Sequence, residues 1–340
     1  MENLVRTFGG LVIVKTLQKR QIPDYKTFIG KGKIEELETE CKSKGIDLII
    51  FNNNLKALQL FNMEEIFRKH KVKVWDRIDL ILKIFEKHAV TEESRLQIEL
   101  AALRHMGPRI FGMGMQLSRQ AGGIGTRGVG ETNIEIMKRH LRTLESKINE
   151  KLKTINKKHS LHRDSRTRKN LKTVAIVGYT NAGKSQLLNA LTKKGVKVKD
   201  ALFATLDTRI GDLYLPKSRK ICLVSDTIGF LQNLPPNLID SFKSTLDQTI
   251  HADLLLHVID YKDPLRDKKI MIVDEILKDL GVENTPEILV CNKIDICWKL
   301  EEREFKKKHG ENTVVFISAL KRINLDKLVD AIEKNLNCNY

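Results

Sequence analysis

The sequence predicts an α/β protein in three parts: an N-terminal α/β subdomain over residues 1–90, a helical hairpin over 91–165, and a doubly wound P-loop domain over 172–340. Three observations lead there. Short apolar runs alternate with amphipathic stretches at both ends of the chain, the rhythm of parallel strands joined by crossover helices. Between them lies a glycine-rich stretch bounded by helix-period patterns, which reads as two helices and the loop joining them. A Gly-x4-Gly-Lys-Ser segment sits where a strand passes into a helix, at the head of the last domain.

Taken in order, LVIVKTL (11–17) reads as a strand, IEELETECKSKG (34–45) as a helix and IDLIIF (46–51) as a buried strand. A helix through LKALQLFNMEEIFRKH and a short strand VKVWD (72–76) follow. From Ile78 to His105 the pattern is helical, with Leu96, Leu100 and Leu103 on one stripe, and Gly107-Pro108 is expected to end it. Eight of the twenty glycines then fall between Gly107 and Gly130. Apolar residues at Ile134, Met137, Leu141, Leu144, Ile148, Leu152 and Ile155 form a narrow seam on a helix from about Thr132 to His162. The run 162–170 is expected to be a linker. In the last domain TVAIVG (173–178), ICLVSD (221–226), LLLHVID (254–260), EILVCN (287–292) and VVFIS (314–318) are the expected strands, with helices between them and a closing helix over Leu325–Leu336.

Composition narrows the class. With 41% hydrophobic and 30% charged residues, the chain has the make-up of an ordinary globular protein. No apolar run reaches the length of a membrane span, and the first residues lack the pattern of a secretory signal. Five cysteines (Cys41, Cys222, Cys291, Cys297, Cys338) show no paired spacing, which fits scattered thiols in a reducing compartment, the cytoplasm, and not a disulfide framework. The net charge of +17 is unevenly placed. Residues 132–173 carry thirteen Lys/Arg against four Asp/Glu, a net +9, whereas 174–340 carry twenty-five against twenty-three. A concentrated basic segment is the electrostatic footprint of a polyanion partner; its bland counterpart is a solvated helix face.

The chemistry is written in the last domain. In Gly178-Tyr179-Thr180-Asn181-Ala182-Gly183-Lys184-Ser185, followed by Gln186, backbone N–H groups can converge on phosphate oxygens at a helix N-terminus. Lys184 is expected to reach the β- and γ-phosphates, and the Ser185 hydroxyl to ligate Mg²⁺. Asp226 closes an apolar strand as a second metal ligand, and the Gly229 N–H would contact the γ-phosphate. Asn292-Lys293-Ile294-Asp295 follows another strand. A carboxylate at Asp295 can accept from guanine N1–H and its 2-amino group, which adenine cannot supply; Lys293 can stack on the base, and Asn292 can brace the loop and contact N7. Ser318-Ala319 would turn a backbone N–H towards guanine O6. In this order, each at the C-terminal end of a strand, the motifs specify GTP/GDP and Mg²⁺. Within Phe203-Ala204-Thr205-Leu206, Thr205 is the choice for the switch threonine that closes over Mg²⁺, with Thr208 as competitor. Lys184, Thr205 and Gly229 are thus the groups expected at the reacting phosphate.

Phe230 stands where many GTPases place a glutamine that orients the attacking water. Phenylalanine offers no such hydrogen bond, so hydrolysis is expected to be slow until a partner reorders the segment. Asn181 suggests a compensation, by resemblance to GTPases with hydrophobic substitutions there: a K⁺ ion held beside the phosphates, supplying positive charge.

On these residues the chain resembles the HflX family of ribosome-associated GTPases. The resemblance also rests on FIGKGKIEELE (28–38), RLQIELAALRHMGPRI (95–110), LSRQAGGIGTRGVGETNIEIMKR (117–139), LFATLD and DTIGFLQNLPPNLIDSFKSTL (226–246). It implies the three-part architecture above, GTP-dependent binding to the large ribosomal subunit, GTPase stimulation by that subunit, and a role in splitting or rescuing ribosomes. It also implies that the hairpin loop approaches ribosomal RNA. Arg119 and Arg127, in the glycine-rich stretch, are the expected RNA contacts. A monomer without membrane attachment is expected. Gln186 departs from the family's usual threonine, and the twenty-one residues after Ala319 are too few for the extra C-terminal domain of some members. Two other readings stay open: a GTP-regulated RNA-binding remodeller and a partner of an RNA-modification enzyme. Gly30-Lys31-Gly32-Lys33 is either a second anion site or a simple strand-to-helix turn.

Overall fold

The structure, a computed structural model, describes residues 1–120, 127–168, 171–192, 209–226, 247–297, 301–310 and 313–336, with 108–120, 127–134, 162–163, 165–167 and 247–248 in backbone only. It divides into two compact units. The first comprises Met1–Lys87 with Arg95–Thr154, the second His88–Ser94 with Ile155–Tyr340.

The first unit opens with α1 (Glu2–Phe8), which Gly9 ends in the left-handed conformation. The strand expected at 11–17 does not form. The segment has no regular structure, with Leu11 at 85% exposure and Val12 half-buried, and it pairs with no described strand; apolar alternation alone cannot supply a ladder partner. Helix α2 (Lys31–Lys44) leads to β1 (Leu48–Ile50), α3 (Ala57–Arg68) and β2 (Lys73–Trp75). The two strands pair in parallel, Leu48 opposite Lys73 and Ile50 opposite Trp75. Ile34, Cys41, Leu60, Met63, Phe67 and Val74 fill the core beneath them.

The helical stretch expected over 78–105 is two helices, α4 (Arg77–His88) and α5 (Glu92–Gln120). Asp76 starts α4 by accepting the N–H groups of Ile78 and Asp79, each at 2.9 Å, while Asp79 accepts the Asp76 N–H at 3.0 Å. Thr91 starts α5 by accepting the Ser94 N–H at 3.2 Å. Contrary to expectation, α5 runs straight through Gly107 and Pro108. A proline removes one helical hydrogen bond at a cost of about 3 kcal/mol, which does not of itself terminate a helix of 29 residues. Helix α6 (Arg127–Arg168) is likewise longer than expected and absorbs most of the supposed linker. In the hairpin, Ile148 and Leu152 are buried, and Arg104 of α5 pairs with Glu145 of α6 at 2.8 Å.

The second unit carries a six-stranded sheet. Its elements are β3 (Thr173–Val177), α7 (Lys184–Thr192), β4 (Arg209–Leu215), β5 (Lys220–Asp226), α8 (Asp247–Ile250), β6 (Leu254–Asp260), α9 (Arg266–Asp279), β7 (Glu287–Asn292), α10 (Glu302–Lys308), β8 (Thr313–Phe316) and α11 (Leu325–Asn335). The order is β4-β5-β3-β6-β7-β8, with β4 antiparallel to β5 and every other pair parallel. Leu187 and Leu188 of α7 and Leu328 and Ile332 of α11 cover one face, and Val273, Ile276 and Leu277 of α9 the other. Strand order reverses between β3 and β6, so the crevice at the carboxyl ends of these strands is where a doubly wound sheet takes its ligand. Strand β4 was not anticipated. Its alternation is visible afterwards, with Leu213 and Leu215 buried and Asp212 and Tyr214 outward. Glu333 of α11 holds the β4–β5 turn by accepting the N–H groups of Lys217 and Ser218. Among the described residues no helix is long and apolar enough to cross a membrane.

Candidate nucleotide-binding site

The phosphate loop leaves β3 at Gly178, whose φ is 143°. A Cβ there would lie 2.4 Å from the Val258 carbonyl oxygen of β6, so only glycine lets the loop turn this close to the neighbouring strand. Gly183 (φ 99°) is equally constrained: a Cβ would meet the Asn292 Nδ2 at 2.3 Å. Asn181 also adopts a left-handed conformation (φ 64°), which asparagine tolerates better than most residues, and its side chain is exposed.

Lys184 opens α7 and folds back under the loop. Its Nζ donates to the carbonyls of Gly178 (3.1 Å) and Tyr179 (3.0 Å). Burial pushes its ammonium down to about 8, against the opposing pull of the Asp226 carboxylate. Such a cation gains by meeting an anion. The Ser185 hydroxyl donates to the Asp226 carboxylate at 2.6 Å. Two hard oxygen donors at that separation, one a fully buried carboxylate at the end of β5, form a donor set suited to Mg²⁺.

Asn292, at the end of β7 and 1% exposed, ties the other motifs to this loop. Its Nδ2 donates to the Ala182 carbonyl at 2.9 Å, and its Oδ1 accepts the Ala319 N–H at 3.0 Å. Through these two bonds Asn292 joins the segments that follow β3, β7 and β8. The Ala319 N–H expected to face guanine O6 is already engaged by Asn292, and the Ser318 N–H donates to Ile323 at 3.2 Å. Lys293 (φ 69°) reaches back across the site, its Nζ donating to the Asn181 carbonyl at 2.9 Å and to Asp260 at 2.7 Å. Asp295 sits half-buried on a 3-10 turn (Ile294–Ile296), and its carboxylate has no hydrogen bond with any described residue.

Two anchors escaped the sequence reading. Asp260 ends β6 directly opposite Asn292 in the ladder and holds Lys293. Lys269 of α9, paired with Asp263, lies over the Tyr179 ring at 4.5 Å from its centroid. The only available signal was position, an aspartate at the carboxyl end of a central strand. Gln186 lies half-buried in the first turn of α7. Phe203, Thr205, Thr208, Gly229 and Phe230 lie outside the described residues. Arg119 falls in α5 and Arg127 begins α6; their side chains are not described.

Comparison with known proteins places this geometry. Residues 1–86 match the family model described as GTP-binding GTPase N-terminal, 88–166 the GTP-binding GTPase Middle Region, and 173–293 the 50S ribosome-binding GTPase. The GTPase HflX of Caldanaerobacter subterraneus is 46% identical over 336 residues, 99% of this chain and 76% of that protein. The GTPase HflX of Escherichia coli K12 is 37% identical over 336 residues, covering 99% and 78%. Among solved structures, a GTP-binding protein from the archaeon Sulfolobus solfataricus in complex with GDP matches with a TM-score of 0.52 and 26% identity, over 98% of this chain and 93% of that one. With the strand-end motifs gathered at one crevice, these likenesses make the chain a GTP-binding, GTP-hydrolysing enzyme. It belongs to the HflX family of GTPases.

Proposed function

We propose that this GTPase is a cytoplasmic switch that binds the large ribosomal subunit and its RNA through the helical hairpin, acting as a monomer in ribosome splitting, rescue or biogenesis. The observation that carries the reading is the solvent face of α6. Arg139, Arg142, Lys147, Lys151, Lys153, Lys157 and Lys158 are all exposed there, none paired with a described acidic residue, while the buried Ile148 and Leu152 occupy the opposite face. Uncompensated cations along a helix suit a phosphate backbone. The ribosome-binding description of the model matched by residues 173–293 supports the same partner.

At the nucleotide, backbone N–H groups of residues 178–186 and the Lys184 ammonium hold the phosphates. Ser185, Asp226 and Thr205 hold Mg²⁺, which neutralises charge on the β- and γ-phosphates when bound. The Gly229 N–H contacts the γ-phosphate, Asp295 accepts from the guanine edge, the stem of Lys293 lies along the base, and Ala319 shares its N–H between Asn292 and O6. Phe230 cannot orient water, so turnover awaits the ribosomal partner, with K⁺ at Asn181 supplying added positive charge.

Cosedimentation with isolated large subunits tests the partner. Binding is expected with a non-hydrolysable GTP analogue and much weaker binding with GDP. Replacing Arg119 and Arg127 with Ala should weaken it and reduce the salt slope by about one per lost phosphate contact. Equal binding in all nucleotide states, or none, would overturn the reading.

A further inference from the structure

Among the described residues, two groups of histidine and carboxylate side chains bring three donor atoms together outside the nucleotide site. In the first, Asp76, Asp79 and His105, the carboxylates are already committed to the start of α4. Asp76 accepts the N–H groups of Ile78 and Asp79, and Asp79 accepts that of Asp76. The second group joins three elements of the second unit: His257 lies in β6, Glu287 begins β7, and Asp274 stands on α9. His257 shares its face of the sheet with Leu255, which packs on Val273, Ile276 and Leu277, so its ring is turned towards α9. Its Nδ1 lies 2.8 Å from the Glu287 carboxylate and 3.7 Å from that of Asp274, and one donor atom of each side chain is within 4.8 Å of the other two. His257 is 1% exposed, Glu287 is mostly buried and Asp274 is half exposed, so the group sits against the sheet and opens to solvent at the helix.

A neutral imidazole donating to Glu287 accounts for the shorter contact. It leaves two carboxylates close together around a buried ring, a like-charge arrangement that a cation relieves. A proton on His257 supplies one positive charge against two negative ones, whereas a divalent cation balances both. One imidazole nitrogen and two carboxylate oxygens make a three-ligand set suited to Zn²⁺, with the fourth position left to water. Donors around a tetrahedral Zn²⁺ stand roughly 3.3–3.6 Å apart. The longer contact is already near that separation, and the shorter one needs only a small side-chain rotation to open. We propose that His257 Nδ1, Asp274 and Glu287 form a Zn²⁺ site that clamps α9 onto β6 and β7. On binding, the Nδ1 proton passes to solvent, and the hydrogen bond to Glu287 is replaced by a bond from each group to the metal. The site is distinct from the nucleotide crevice. His257 precedes Asp260 by three residues, about 10 Å along the strand, and Glu287 stands at the opposite end of β7 from Asn292. The proposal is independent of the nucleotide and ribosome readings.

The test uses the full chain, freed of metal by a chelator and kept without nucleotide, with Zn²⁺ itself as the probe. Titration calorimetry gives stoichiometry and affinity, melting curves with and without Zn²⁺ report the clamp, and the visible absorption of Co²⁺ loaded in its place reports four-coordination. The expected result is one saturable site per chain and a melting temperature that rises with Zn²⁺. Asp274→Asn and Glu287→Gln should each weaken Zn²⁺ binding by at least about tenfold, since disturbing even the groups behind a metal's ligands costs that much. Each should also lose most of the melting shift. The two substitutions lie on different elements, so if one fails to fold the other decides. Asp226→Asn, which removes a metal ligand at the nucleotide, should leave Zn²⁺ binding unchanged. Absence of saturable binding by the parent, or full binding by the folded Asp274→Asn and Glu287→Gln, would overturn the proposal. Binding lost only in Asp226→Asn would place the metal at the nucleotide site and overturn it equally.

Discussion

Asn292 donates its side-chain amide to the Ala182 carbonyl at 2.9 Å, across 110 positions of sequence, and so fastens the phosphate loop to the end of β7. The same side chain accepts the Ala319 N–H, so one buried amide holds three strand-end segments together.

Replacing Asn292 with Ala leaves a buried carbonyl and a buried N–H without their partner. At about 1–3 kcal/mol for each unsatisfied group, both the melting temperature and the affinity for GDP and GTP should fall, the affinity by about tenfold or more. Fluorescence titration with a labelled guanine nucleotide checks this. Loss of GTP affinity alone would contradict the bracing role.

Asp295 has a carboxylate without a hydrogen bond to any described residue, on a turn set by Asn292 and Lys293. Asp295→Asn replaces an acceptor pair with one acceptor and one donor. Two hydrogen bonds to a charged group, at about 1.5–3 kcal/mol each, imply a loss of guanine-nucleotide affinity of about a hundredfold or more. Xanthine nucleotides, which present a carbonyl where guanine has its amino group, should gain. Competition binding with GDP and xanthosine diphosphate measures both changes.

Much of this site was legible because its signals are local. Gly178 to Ser185 is one contiguous turn, and Asp226 and Asn292 each close an apolar run. Neither Asp260 nor Lys269 could be read in this way. Their roles exist only because β6 lies beside β7 and α9 brings a cation over Tyr179. The N-terminal error has the same origin. LVIVKTL has strand composition, but a strand is defined by a partner, and composition does not provide one. Pro108 misled in the opposite sense, as a local breaker overruled by the long helix around it.

Asp253, at the start of the β3–β6 pairing, ties Lys172 at 2.7 Å and the Thr173 N–H at 2.8 Å. Burial raises its carboxyl, but the bonds from Lys172 and Thr173 outweigh that and hold it below its usual value. The folded value being depressed, its stabilisation is present above the unfolded value of about 3.9 and is lost as pH falls through the folded one. Asp253→Asn should therefore lower stability at neutral pH and flatten the acid limb. Urea unfolding between about pH 6 and pH 2.5 tests this; an unchanged acid limb would count against it.

Asn181 carries the proposal for K⁺. Turnover in K⁺ should exceed that in Na⁺ at equal ionic strength by about two to three orders of magnitude, the scale of a single well-placed electrostatic group. Asn181→Ala should abolish the difference without abolishing GDP binding. Equal rates in the two salts for the parent protein would remove K⁺ from the account.

Under the proposed function, hydrolysis waits for the large ribosomal subunit, and single-turnover GTP hydrolysis with and without purified large subunits decides the matter. Slow hydrolysis is expected of the protein alone, because Phe230 cannot orient water, with acceleration of at least about tenfold by large subunits but not by small ones. A rate that large subunits leave unchanged would contradict it.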